Sequence, residues 1–191
     1  MNCNLPTLWT DEEWLTKNPE RVSGAEVSVN NYLKKSQELY QGKKILHIGI
    51  GSSLVFKQLH DVFGRIDGIT NTKQEFEMAG GLYKVYLMNK YNEEEFFKID
   101  DDYDVIVDVN LKSFACCSEH WLNFMKAVIG KLKVGGRLIS HTAGFGGYGT
   151  IFDNSMKMEE LYKLLQPNCF LFEMKHLADE SGYYPFIIEK V

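Results

Sequence analysis

From Lys43 onward the chain alternates short apolar runs with amphipathic helical stripes, a pattern met by a parallel sheet flanked by helices and by few other architectures. The first unit is the sharpest. Residues 43–48 (KKILHI) form an apolar run closed by Gly49, and within residues 54–63 Val55, Leu59, Val62 and Phe63 fall on one helical stripe. A second strand is expected over Arg65–Ile69, followed by Thr72-x-x-Glu75, a capping-box match that opens a helix running to Ala79. Tyr83–Met88 reads as a third strand, Glu93–Lys98 as a short acidic helical segment, and Tyr103–Val109 (YDVIVDV) as a strand apolar enough to be buried on both faces. Ser118 is placed to cap a helix carrying Trp121, Met125, Val128 and Leu132, and Val134-Gly135-Gly136 stops it ahead of a strand at Arg137–His141. After a glycine-rich loop, Ala143–Gly149, comes a last helix marked by Met158, Leu161, Tyr162 and Leu165 and ended by Pro167. Two strands, Cys169–His176 and Tyr183–Glu189, close the chain, and the short link at residues 178–182 suits an antiparallel hairpin. The expected fold class is α/β: a doubly wound seven-stranded sheet, mostly parallel, with an antiparallel C-terminal hairpin strand.

The first forty residues differ. Thr10-x-x-Glu13 is another capping-box match, Asn18-Pro19 ends that short helix, and Val29, Leu33, Ser36 and Tyr40 lie along one face of a second. With 191 residues and no linker, repeat or low-complexity tract, one domain is expected: residues 1–40 as a helical segment packed on a core of residues 41–191. Lys and Arg number 21 against 26 Asp and Glu, and the formal charge of −5 offers a polyphosphate no broad attraction, so nucleic acid is not the expected partner. Leu138–Phe152, the longest stretch free of Asp, Glu, Lys and Arg, is interrupted by glycines and falls short of the roughly 20 apolar residues a spanning helix needs. The N-terminus shows neither a basic n-region nor an apolar h-region, so the location reads as cytoplasmic. Cys3, Cys116, Cys117 and Cys169 lack C-x-x-C spacing, and His60, His120 and His176 lack H-x-x-H spacing, so no protein-built metal site is expected.

His47-Ile48-Gly49-Ile50-Gly51-Ser52-Ser53 puts two glycines between a strand and a helix, where backbone amides come close to a ligand at the strand's carboxyl end. The third glycine of a dinucleotide-binding G-x-G-x-x-G would fall at Leu54, which makes NAD the weaker reading. The segment resembles the first motif of the class I S-adenosylmethionine-dependent methyltransferases, an acidic residue followed by Gly-x-Gly and a small residue. Asp67-Gly68-Ile69-Thr70-Asn71-Thr72 is similar to the second-strand segment of methyltransferases of small molecules, and Tyr103–Asp108 to their fourth strand. Leu132-Lys133-Val134-Gly135-Gly136-Arg137-Leu138 is similar to their L-K-P-G-G-x-L turn into strand five. These segments occur in family order across residues 40–191. The resemblance implies a Rossmann-like core that binds S-adenosyl-L-methionine through His47, Gly49, Gly51, Ser53, Thr70, Asn71, Asn89 and Asp108. Two positions depart from it. His47 stands where the family has an acid, and Thr70 replaces the acid that grips the ribose hydroxyls, leaving Thr70 and Asn71 with neutral hydrogen bonds only. On the same pattern Asn89 sits where a side chain meets adenine, and Asp108 to Leu111 where the sulfonium methyl emerges.

Methyl transfer from a sulfonium is an in-line displacement, so alignment and exclusion of water supply most of the rate. A base is needed only by an acceptor that must lose a proton. His141, ending strand five, and Asp108, ending strand four, are the two candidates. Asn110, Phe145 and Tyr148 are the candidate substrate contacts, the last two on a loop that could act as a lid. Trp9, Trp14 and Tyr32 could cover the pocket or fill the core. No N-P-P-Y-type segment follows strand four, which points away from amino methylation of DNA bases or glutamine. The expectation is a methyltransferase acting on a small-molecule acceptor, such as a hydroxyl of a sugar or natural-product intermediate, with no nucleic acid, no membrane and a homodimer left open. Two rivals stand beside it. YDVIVD resembles the fourth strand of spermidine synthases, which suggests aminopropyl transfer, and His47 with Thr70 favour a noncatalytic scaffold.

Overall fold

The apolar runs and the helical stripes resolve into seven strands and seven α-helices in a computed structural model that describes residues 22–112, 115, 117–145, 158–180 and 182–191. The expected first helix, with Trp9 and Trp14, and Tyr148 of the glycine-rich loop lie outside the described residues. Strands β1 (Lys44–Ile48), β2 (Arg65–Thr70), β3 (Lys84–Leu87), β4 (Tyr103–Val107), β5 (Leu132–His141), β6 (Cys169–Glu173) and β7 (Pro185–Lys190) form one sheet in the order β3-β2-β1-β4-β5-β7-β6. Only the pairings of β7 are antiparallel. The helices are α1 (Gly24–Lys35), α2 (Gln37–Tyr40), α3 (Leu54–Leu59), α4 (Lys73–Ala79), α5 (Glu93–Phe97), α6 (Ser118–Lys131) and α7 (Met158–Leu165). No helix among the described residues is long and apolar enough to cross a membrane.

Because successive strand residues point to opposite faces, the central strands feed two separate cores. Ile45, Val105, Val107 and Ile139 pack with Val29 and Leu33 of α1 and Val55 and Leu59 of α3. Leu46, Ile48, Ile106 and Leu138 pack with Trp121, Phe124 and Val128 of α6. The stripe expected on the second N-terminal helix is buried at Val29, Leu33 and Tyr40, although the helix breaks at Ser36. Its start is fixed by a reciprocal capping box, in which Glu26 N–H donates to Ser23 Oγ and Ser23 N–H donates to the Glu26 carboxylate.

One boundary differs from expectation for a clear reason. β5 begins at Leu132 rather than Arg137: Leu132 pairs with Tyr103 and Arg137 with Val105, so residues 133–136 bulge opposite Asp104. Gly135 takes φ +76°, and a Cβ on Gly136 would lie 2.9 Å from Lys133 O and 3.0 Å from Tyr103 O. The two glycines bend a strand as well as following a helix.

The strand order places the chemistry. From β1 the sheet grows to β2 and β3 on one side and to β4 and β5 on the other, so the loops after β1 and β4 diverge and leave a crevice at their carboxyl ends.

Candidate functional site

The β1–α3 loop turns through three left-handed residues, Gly49 (φ +71°), Gly51 (φ +50°) and Ser53 (φ +59°). Glycine is free there and Ser53 is not, and Tyr83 Oη donates to Ser53 Oγ at 2.9 Å to hold it. The loop's amides are turned inward: Gly49 and Ile50 N–H donate to Ile69 O at 2.8 and 3.2 Å, and Ser53 N–H to Ile50 O at 2.7 Å. What the loop leaves free is space. A Cβ on Gly49 would meet nothing within 4 Å, whereas one on Gly51 would stand 2.8 Å from Glu26 Oε1. Below the loop His47 is buried, its Nδ1 has no partner, and burial pushes its imidazole down to about 4, so the ring is neutral.

Thr70 ends β2 without a charge, but a carboxylate reaches it from the next helix. Thr70 Oγ1 donates to Glu75 Oε2 at 2.5 Å, and the nearby Gly51 amide favours the charged form of that carboxyl. The expected capping box is therefore half formed. Thr72 Oγ1 accepts Glu75 N–H at 3.3 Å, while the Glu75 side chain turns to the sheet edge instead of back to Thr72. Burial raises the Glu75 carboxyl above its ordinary range, the nearby Glu26 raises it further, and the bonds from Thr70, Gly51 and Thr72 oppose both.

At the crevice itself a cleft is lined by apolar Ile48, Ile69 and Met88, by polar Thr70, Asn71 and Asn89, and by Asp108 and Asn110 from beyond β4. Asp108 is fully buried and fixed at three atoms: its N–H donates to Ile139 O, its carbonyl accepts Ser140 Oγ at 2.6 Å, and its Oδ1 accepts Asn110 N–H at 3.0 Å. Its Oδ2 accepts from Lys90 Nζ at 2.8 Å. Burial pulls the Lys90 ammonium below its ordinary range, against the pull of Asp108. His141 does not line this cleft. It is buried at the end of β5, where its Nδ1 accepts Ala143 N–H at 3.3 Å and braces the 3₁₀ turn Thr142–Phe145. Burial holds its imidazole below the usual range, opposed by Asp179. That turn seats tightly on the loop after β4, since a Cβ on Gly144 would lie 2.3 Å from Val109 O.

No family model matches the sequence, and no curated protein matches it. Solved structures do match. The N-methyltransferase NodS from Bradyrhizobium japonicum, in complex with S-adenosyl-L-homocysteine, is 13% identical over 96% of this chain and 94% of its own, with a TM-score of 0.65. An S-adenosylmethionine-dependent methyltransferase from Clostridium acetobutylicum gives 11% identity over 94% and 96%, with a TM-score of 0.66. The fold is that of the class I methyltransferases. An rRNA methylase from Streptococcus thermophilus, 12% identical over 90% of this chain and 99% of its own at a TM-score of 0.52, shares it, so the methyltransferase fold alone does not name an acceptor.

Within this methyltransferase fold the residues fit S-adenosylmethionine by chemistry. Ile48, Ile69 and Met88 offer an apolar slot, Asn71 and Asn89 offer amides beside it, and the Glu75 carboxyl lies against Thr70, where β2 itself ends without one. The unpaired Nδ1 of His47 and the open space at Gly49 lie along the same loop. Three groups escaped the sequence reading: Glu26, Glu75 as more than a capping residue, and Lys90. Thr72-x-x-Glu75 reads as a capping box, Ser23-x-x-Glu26 has the same spacing but is not singled out, and nothing local marks Lys90.

Proposed function

We propose that this chain transfers a methyl group from S-adenosylmethionine to a small-molecule acceptor. The observation that carries the reading is Glu75. A buried carboxyl that accepts from the Thr70 hydroxyl stands at the end of β2, where the ribose hydroxyls of the cofactor need an acceptor. Thr70 and Asn71 then assist Glu75 rather than replace it, and Glu26, beside Gly51, is the carboxylate available to the cofactor's ammonium in place of neutral His47. Bound there, the cofactor supplies an electrophilic methyl group. Asp108 presents the proton-accepting oxygen at the β4 end, and His141 positions the turn that backs it. The acidic surplus of the chain supports a small acceptor rather than a nucleic acid.

Titration with S-adenosylhomocysteine tests the reading. Saturable binding by calorimetry and a rise in Tm are expected, because a ligand selective for the native state stabilises it by mass action. No heat at millimolar ligand would instead support the noncatalytic reading that His47 favours.

A further inference from the structure

Lys90 follows β3, yet its ammonium sits on the other side of the crevice among acceptors and ring faces. Nζ donates to Asp108 Oδ2 at 2.8 Å, to Asn110 O at 2.7 Å and to Leu111 O at 3.4 Å. The rings of Phe124 and Tyr91 lie with centroids 5.0 and 5.3 Å from it. One carboxylate, two carbonyls and two π faces make an ammonium cage, in which Tyr91 Oη also donates to Leu111 O at 3.3 Å and Asn110 N–H to Asp108 Oδ1 at 3.0 Å. Its walls do not depend on Lys90. The Asp108 backbone is tied to β5 through Ile139 and Ser140, and Gly144 presses the 3₁₀ turn against Val109 and Leu111. The cage opens on the cleft, since Lys90, Tyr91, Asp108 and Asn110 all line it. Lys90 Nζ itself occupies the cage, at 2.8 Å from Asp108 Oδ2 and 2.7 Å from Asn110 O, so another occupant must move the Lys90 chain.

Resting on the methyltransferase reading, we propose that this cage is the acceptor subsite, that the acceptor is a primary aliphatic amine, and that it binds as an ammonium ion in the place Lys90 holds in the resting chain. A hydroxyl acceptor would leave Asp108 buried beside it without a compensating charge, an arrangement of several kcal/mol cost in general. An amide or aromatic amine brings no cation, so the absence of an N-P-P-Y segment is consistent with this class. The ammonium gives one proton to Asp108 Oδ2, which frees the nitrogen lone pair. The nitrogen–carbon bond forms as the methyl leaves the sulfonium, the donor departs as a neutral thioether, and Asp108 passes the proton to water. The acceptor gains CH₂ overall and one proton is released.

Lys90→Ala empties the cage and is the direct test. In that variant n-propylammonium is expected to bind saturably in the millimolar range and to raise Tm, while n-propanol does neither. Wild type should bind n-propylammonium at least about tenfold more weakly, because Lys90 competes from a tether. A folded Lys90→Ala protein that binds S-adenosylhomocysteine but shows no saturable n-propylammonium binding, or binds the alcohol equally, overturns the cage. Should Lys90→Ala fail to fold, wild type is offered matched primary amines and alcohols with methyl-labelled cofactor and mass detection. Label in an amine supports the proposal, and label confined to alcohols, or to neither series while S-adenosylhomocysteine binds, overturns it. Loss of S-adenosylhomocysteine binding with the ammonium site intact would overturn the methyltransferase reading alone.

Discussion

Glu75 shows how a single side chain serves binding against stability. Its carboxyl is raised by burial, so the stability it contributes is full below the ordinary value of 4.5 and is lost as pH rises toward the elevated folded value. Glu75→Gln should therefore flatten the fall in stability above pH 4.5, measured by denaturant unfolding across that range, and raise Tm at neutral pH. The same variant should weaken S-adenosylhomocysteine by about 1.5–3 kcal/mol, the span of a hydrogen bond to a charged group, as read by calorimetry. Equal affinity in both proteins would detach Glu75 from the ribose. His47 carries the opposite sign. Its imidazole falls from 6.5 free to about 4 when folded, so the stability it contributes is present above 6.5 and is lost as pH drops toward 4, up to about 3 kcal/mol. His47→Asn should remove most of that acid sensitivity, which unfolding curves at pH 6.5 and pH 4 would show. The sequence marks His47 and Thr70 as departures from the resembled family. It does not mark the compensation, because Thr70 and Glu75 meet only after β2 and α4 pack, and a capping-box pattern gives Glu75 a complete local explanation.

At the level of elements the periodic signals are enough to locate all seven strands, because parallel strands buried on both faces must be apolar throughout and their helices must be striped. Boundaries were legible at Thr72 and Pro167, whereas the caps Ser23 and Asn92 went unread and Cys117, not the expected Ser118, stands at the N-cap of α6. The start of β5 was not, since a bulge opposite Asp104 is a property of the pair of strands and not of Gly135-Gly136 alone. The 3₁₀ turn Thr142–Phe145 was read only as part of a flexible loop, yet its Gly144 makes the tightest backbone approach in the site. Gly144→Ala should lift this turn off Val109 and Leu111 at a cost of about 1–3 kcal/mol in stability, the usual penalty of overpacking. Cofactor affinity should survive, because the glycine loop and Glu75 lie on the other half of the sheet, and paired thermal-shift and calorimetric measurements separate the two effects. At the other end of the site, Ser23→Ala removes the cap on α1 and should cost about 1 kcal/mol, with some loss of S-adenosylhomocysteine affinity as Glu26 loosens beside Gly51.

Across the whole molecule, the sheet divides at β1 into a half that carries β2 and β3 and a half that carries β4, β5, β7 and β6. The groups proposed to face the cofactor, Thr70, Asn71, Glu75 and Asn89, belong to the first half, and Asp108, Asn110 and Gly144 to the second. The ion pair of Lys90 with Asp108 joins the two, and residues so distant along the chain give no joint signal in a single sequence. Its presence also has a kinetic meaning. Lys90 is a ligand held on a short leash, so its effective concentration at the cage is high and constant, whatever the concentration of any acceptor outside. An incoming amine therefore meets an apparent affinity lowered by the fraction of time the cage stands empty. The same leash acts on departure: Lys90 competes with the methylated product for Asp108 as it competes with the incoming amine, so product rebinding is weakened too.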